Sequence, residues 1–315
     1  MNMIRNTEDY IYYIINKTRK HNIDNISRTK AYQRFYFKYP EIKWALLASI
    51  VSRNAGWNMT DLYLTPYKEI LGEHQRMRLF MTYERANWLI FSDAYPQLIL
   101  YEISLRQNRP LFHLLSEIQV SNFMIQEWNY FWKNKDRNRL MTSLIINEQN
   151  VIQKPVIAQP FFKKKVFLSV PYQLQNYIML NAVLLPTLNG KIYGGYVRGF
   201  TNLTNRITLG KRLASQLFHP GIHKEILDFI RFVEHTGSRY DYEKYTYYHF
   251  PKSPLLRTIY PIIDHQDIIR NDWLELRGIR NKWPLSLTEE PIEIGKSYYR
   301  KRNMVFAYYH MKKLF

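Results

Sequence analysis

Residues 41–58 read EIKWALLASIVSRNAGWN. Ile42, Ala45, Leu46 and Ile50 line one side of a helix of 3.6-residue period. Trp44, Leu47, Ala48 and Val51 cover most of the remaining circumference. A helix that is apolar nearly all round belongs inside a core rather than on its surface. The spacing predicts this helix over 41–55. Pro40 fits the first helical position, where a missing N–H costs nothing. Gly56 fits the residue after the cap, free to take a positive φ. Thr60 or Asp61 then suits the N-cap of a following helix.

Working outward, the 3.6-residue period recurs over 8–20 and again from Gly72 to Leu105, with a break expected at SDAYP, 92–96. Further helical segments are PLFHLLSEIQV from Pro110, NFMIQEWNYFW, RNRLMTSLIINEQNVI, NRITLGKRLASQLF, IHKEILDFIRFVEH and a last one near the C-terminus. NGKIYGGYVRGF, with paired Gly194 and Gly195, reads as a short strand or hairpin. The aromatic, proline-punctuated stretch beyond Gly237 has no period and reads as an irregular segment. The fold class is mainly α: a multi-helix globular bundle with a few short strands or irregular segments in the C-terminal half. The stretch KPVIAQPFFKKK, 154–165, reads as a long loop or junction. It separates a helical 1–153 from a mainly helical 166–315, which form either two regions or one compact domain.

The 315-residue chain is 46% hydrophobic and 16% aromatic, enough to bury a core. It has no cysteine, which excludes disulfides, a thiolate zinc site and a Cys nucleophile. The N-terminus lacks the pattern of a secretory signal, and no apolar run reaches the roughly 18 to 20 residues of a membrane helix. The chain is expected in the cytoplasm. Its 45 Lys and Arg against 26 Asp and Glu give a net charge of +19. Arginine, which A/T-rich coding does not favour, makes up 23 of the 45. Such a charge attracts polyanions: nucleic acid or an anionic lipid surface.

Two segments concentrate chemistry. In SRNAGWN, Arg53, Asn54 and Trp57 stand at the end of the buried helix. The helix is similar to one in lytic transglycosylases and goose-type lysozymes that ends in Glu-Ser-Gly-Phe-Asn. Asn54 stands where their catalytic Glu would be, and an amide cannot serve as the acid of glycoside hydrolysis. In EHTGSRYDYEKY, His235, Ser238, Arg239, Tyr240 and Asp241 cluster around Gly237 just after a helix. There His and Asp could act as an acid–base pair, with Arg for an anion. The same residues also suit a helix C-cap. His219 and His223, across Pro220 and Gly221, lack a fixed zinc geometry, so neither a metal centre nor a cofactor is expected. No phosphate-binding glycine loop, dinucleotide fingerprint or nucleophile elbow is present.

Cations interleave with aromatics in two further stretches. Residues 17–43 carry eight Lys and Arg against Asp24 and Glu41, among them Lys30, Arg34 and Lys38. Residues 276–315 carry nine against three Glu, including Arg300, Lys301 and Arg302. Lys163, Lys164 and Lys165 add a triplet. Such cations neutralise phosphates, and neighbouring aromatics can stack on bases.

WALLASIVSRNAGWNMTDL and HTGSRYDY resemble segments of the uncharacterised YppC-like family of Firmicutes proteins. The resemblance implies a bacterial cytosolic protein and carries no activity. The leading expectation is therefore sequence-independent binding of a polyanion, nucleic acid first, by a basic, Tyr-rich surface. One alternative is a hydrolase-type enzyme with a pocket between the 53–57 and 235–241 segments. Another is peripheral binding to an anionic membrane.

Overall fold

A computed structural model describes residues 7–162, 166, 182–261, 263–266 and 270–312. Its main helices are α1 (Thr7–His21), α2 (Asn25–Lys38), α3 (Lys43–Asp61), α4 (Thr65–Ile70), α5 (Glu73–Arg106), α6 (Asn122–Asn134) and α7 (Arg137–Val151). A two-stranded antiparallel sheet follows, β1 (Ala182–Pro186) with β2 (Ile192–Tyr196). Then come α8 (Leu203–Leu217), α9 (His223–Phe232), an irregular run with short turns, and α10 (Gly295–Lys312). The protein is mainly α, and the two strands among the described residues lie in the C-terminal half. No helix among the described residues is long and apolar enough to cross a membrane. Lys163, Lys164 and Lys165 lie outside the described residues.

The 41–58 stretch forms the centre. Every residue of α3 is buried except Lys43, Val51 and Asn58. The helix packs against α2, α5, α7, α8 and β1. One large cluster of buried side chains runs from Tyr10 and Ile14 through α3 to Leu184, Ile226 and Tyr299, drawing on both halves of the sequence.

The ends of α3 differ from expectation. Pro40 precedes the helix, which starts at Lys43. Gly56 does not end it: the helix runs on to Asp61, and Gly56 lies inside. The glycine serves close approach instead. A Cβ there would sit 2.5 Å from Asn25 Oδ1 and 3.0 Å from the His235 ring. Asp61 is the last residue of α3, and α4 starts with Pro66 in its first turn, so neither Thr60 nor Asp61 caps it.

The expected break at SDAYP is also absent. The helix α5 continues through Pro96. Proline has no N–H for the Ser92 carbonyl one turn back. Arg270 Nη2 approaches that carbonyl at 3.5 Å. Beyond the proline, polar groups tie α5 to its neighbours. Gln97 Nε2 and Asn147 Nδ2 donate to Asp93 Oδ2 at 2.8 and 2.6 Å, and Trp128 Nε1 donates to Gln97 Oε1 at 2.9 Å.

The sheet is held at both edges by side-chain amides. Leu184 pairs with Gly194 in the register. Leu184 N donates to Asn54 Oδ1 at 2.7 Å, and Asn54 Nδ2 donates to Leu184 O at 2.9 Å. On the other strand, Gly194 N donates to Gln216 Oε1 at 3.1 Å, and Gln216 Nε2 donates to Gly194 O at 3.3 Å. This is a non-hydrogen-bonded pair, whose backbone groups point outwards, and each amide stands in for the missing next strand. Asparagine at 54 is explained by this role, since a carboxylate accepts but cannot donate. Asn54→Asp leaves the Leu184 carbonyl without its donor and buries a charge. It is expected to cost about 1–3 kcal/mol in urea unfolding at pH 7, with part of the loss recovered near pH 5. An unchanged unfolding midpoint would contradict the role.

Candidate functional site

The 53–61 end of α3 and the 235–243 segment lie side by side. Trp57 Nε1 donates to Asp241 Oδ2 at 3.1 Å. Thr60 Oγ1 donates to the Gly237 carbonyl at 2.7 Å. Arg239 Nε meets Asp61 Oδ2 at 2.6 Å, while its Nη1 and Nη2 donate to Tyr242 Oη and Asn58 Oδ1, both at 2.8 Å. Ser238 Oγ donates to the Ser253 carbonyl at 2.6 Å. Gly237, at φ 78°, makes the turn that a side chain would strain.

They meet as a packed joint rather than an open cleft. Arg53, Asn54, Trp57, His235, Ser238, Arg239 and Asp241 are all buried, and Tyr240 is 44% exposed. The three α3 side chains serve three different partners. Arg53 Nη2 donates to the Ile230 and Val233 carbonyls at 3.1 and 2.9 Å, capping the C-terminal end of α9. Asn54 holds β1, and Trp57 holds Asp241. A small cavity of about 160 Å³ beside Asn54 is lined by Asn58, Tyr83 and Gln149, and by none of the other seven residues.

His235 sits where its chemistry is fixed. Asn25 Nδ2 donates to the Ser52 carbonyl at 2.8 Å, so its Oδ1 faces His235 Nε2 at 2.9 Å as an acceptor. The imidazole therefore carries its proton on Nε2. Its Nδ1 lies 3.5 Å from Asp241 Oδ2. Burial pushes the ring down to about 4, so it is neutral at pH 7. The unfolded ring titrates near 6.5. Below that pH the unfolded chain takes a proton that the folded chain refuses. The stabilisation is thus whole above about pH 6.5 and drains away as pH falls towards 4.

Two further buried charges complete the joint. Arg302 pairs with Glu243, and its Nη2 lies 3.6 Å from Asp61 Oδ1. Arg302 is only 1% exposed, so it is not a surface cation as expected from the run Arg300–Arg302. The reason is periodic. Tyr298, Arg302, Val305 and Tyr309 recur at four, three and four residues along α10, and all four are buried. Arg300 is exposed on the other side of that helix. Lys301 lies 3.7 Å from the Tyr196 ring, and burial, with Arg198 and Arg300 nearby, lowers its ammonium.

The remaining basic residues gather elsewhere. Lys17 and Lys38 reach Glu102 at 3.2 and 2.6 Å, and Arg106 joins the same carboxylate. Arg34 is exposed on α2. The His21 imidazole is lowered first by burial, then by Lys17, Arg34 and Lys20 around it. Five cations of α1, α2 and α5 thus share one neighbourhood. Lys30 is turned away to Glu234 at 2.7 Å. Arg106 was not singled out from the sequence: it stands far along the chain and joins this group only because the long α5 returns beside α1. The exposed rings Tyr12 and Phe37 lie on α1 and α2, with the Arg231 guanidinium 5.0 Å from the Phe37 centroid.

Thermal melts between pH 7 and 4 should show the His235 contribution as a loss of about 3 kcal/mol in all. His235→Gln keeps a donor for Asn25 and should flatten that part of the profile. An identical pH dependence in the variant would remove His235 from the account.

Residues 20–293 match the family described as Protein of unknown function (DUF2515). The chain is 46% identical over 298 residues to Uncharacterized protein YppC of Bacillus subtilis (strain 168), covering 94% of this chain and 93% of that protein. No solved structure matches it. The chain belongs to the DUF2515 family of proteins of unknown function.

Proposed function

We propose that this protein binds nucleic acid without regard to sequence, through the cationic face of α1, α2 and α5. The observation that carries the reading is a pair of linked groups: Lys17, Lys38 and Arg106 on the carboxylate of Glu102, and Lys17, Lys20 and Arg34 around His21. Glu102 is buried and holds three cations, so Lys17 or Lys38 can turn to a phosphate while Arg106 keeps the carboxylate paired. A polymer of phosphates gains from several exchanges at once. Tyr12 and Phe37 offer ring faces for unstacked bases on the same two helices. Arg239 and Arg302 take no part, because their charges are spent on Asp61 and Glu243 inside the protein.

Fluorescence anisotropy with labelled single-stranded and duplex DNA and RNA tests the reading. Each duplex phosphate neutralised contributes about 0.9 to the slope of log affinity against log salt. About four contacts predict a loss near two orders of magnitude between roughly 50 and 200 mM salt. Lys20→Glu combined with Arg34→Glu should weaken binding and lower the slope by about two. Lys224→Glu, on α9, should change neither. Absence of binding at low salt, or a double variant that binds like the parent, would overturn the proposal. Binding to vesicles of anionic phospholipid without binding to nucleic acid would replace it with the membrane reading.

A further inference from the structure

We infer that a second site, a cleft between α5, α7 and the 270–276 segment, binds a small organic phosphate. The cleft encloses about 650 Å³, within the range of about 300–1,000 Å³ usual for small-molecule sites. Among the described residues, Arg85, Lys154 and Arg270 line it against one carboxylate, Asp93. That carboxylate is already engaged from within by Asn147 and Gln97. The cleft therefore favours an anion.

The polar groups in its wall are incompletely used. Arg270 spends Nη2 on the Ser92 and Ile118 carbonyls at 3.5 and 3.3 Å, and its backbone N–H on Gln119 Oε1 at 2.9 Å. Among the described residues its Nε and Nη1 have no hydrogen-bond partner, and Nη1 makes a long ion pair, 3.5 Å from Asp93 Oδ1. Asn150 donates to the Ile146 carbonyl at 2.9 Å, and its Oδ1 has no donor. Buried polar atoms are rarely left so. A guanidinium whose donors are only partly used, with Lys154 exposed at the rim, suits the oxygens of a phosphate. An amide oxygen with no donor suits an N–H or O–H on the same molecule. Trp273, Met81 and Leu276 also line the cleft, and the Trp273 indole is held by Nε1 donating to Asn147 Oδ1 at 2.8 Å. Such a wall accepts a flat or apolar body. An organic phosphate with a ring matches all three features, and free phosphate matches only one.

Arg270 also marks an edge. A neighbouring cleft of about 760 Å³, reaching Arg19 and His265, meets the first at Gln119 and Arg270. There His265 Nε2 lies 3.0 Å from Glu84 Oε1, and its ring stacks on Trp88 with centroids 5.0 Å apart. These contacts hold His265 against α5.

Isothermal titration of the full chain with adenosine 5′-monophosphate, phenyl phosphate and inorganic phosphate tests the site. The two ring phosphates should bind at least tenfold more tightly than inorganic phosphate. Arg270→Gln should weaken both by at least tenfold. Lys154→Gln, a change at the exposed rim that leaves the fold alone, should weaken them several-fold. Lys20→Glu with Arg34→Glu should leave them unchanged, which separates this site from the nucleic-acid face. No binding of any of the three at millimolar concentration would overturn the inference. So would binding that both cleft substitutions leave intact.

Discussion

The structure depends on how α3 carries polar groups into a place that water does not reach. A buried N–H, carbonyl or charge without a partner costs several times what a satisfied one contributes. Ser52, Arg53 and Asn54 bond three different elements, α2, α9 and β1, while Trp57, Thr60 and Asp61 all bond the 235–243 segment. One helix thereby fixes the position of most of the others. The apolar half of its surface supplies the drive to bury it, and the polar half dictates the arrangement. Asn54 is the clearest case. Its amide reproduces both bonds of an absent strand, which lets a two-stranded sheet lie against a helix with its backbone satisfied.

Much of this was legible in the residues. The all-round apolar pattern of 41–55 predicts a central helix, and α3 is one. The stretch with paired glycines at 194 and 195 reads as a short strand or hairpin; it forms the strand β2, where a Cβ on Gly194 would meet the Val183 carbonyl at 2.0 Å. The misreadings share a cause. Gly56, Pro96 and the Arg300–Arg302 run were read by local rules: glycine stops, proline breaks, basic runs face water. In each the tertiary environment overrode the rule. Gly56 makes room for Asn25 and His235, Arg270 approaches the carbonyl that Pro96 abandons, and Asp61 and Glu243 hold Arg302 inside. Only Arg302 left a signal in the sequence, the spacing of Tyr298, Val305 and Tyr309 around it.

The charge divides by the same logic. A net charge of +19 says nothing of where its cations sit. Some are structural: Arg28, Arg53, Arg239 and Arg302 are almost wholly enclosed. They act through planar guanidinium groups that satisfy several acceptors at once. The exposed cations on α1 and α2 are mixed, Arg19 and Arg34 with Lys20 and Lys38, and the flexible, hydrated ammonium of the lysines suits transient contact. The proposed nucleic-acid face draws on the exposed Lys20, Arg34 and Lys38, and the proposed organic-phosphate cleft on the exposed Lys154 beside Arg270. The joint between α3 and the 235–243 segment, rich in the residue types of catalysis, uses them to hold itself together.

Native-state hydrogen exchange tests most directly the claim that α3 is the hub. The amides of Arg53 to Trp57 and of Leu184 should exchange only through global unfolding, with one free energy that equals the stability measured in denaturant. Exchange of those amides through local opening, with a lower free energy than the helices α1 and α7 around them, would contradict it.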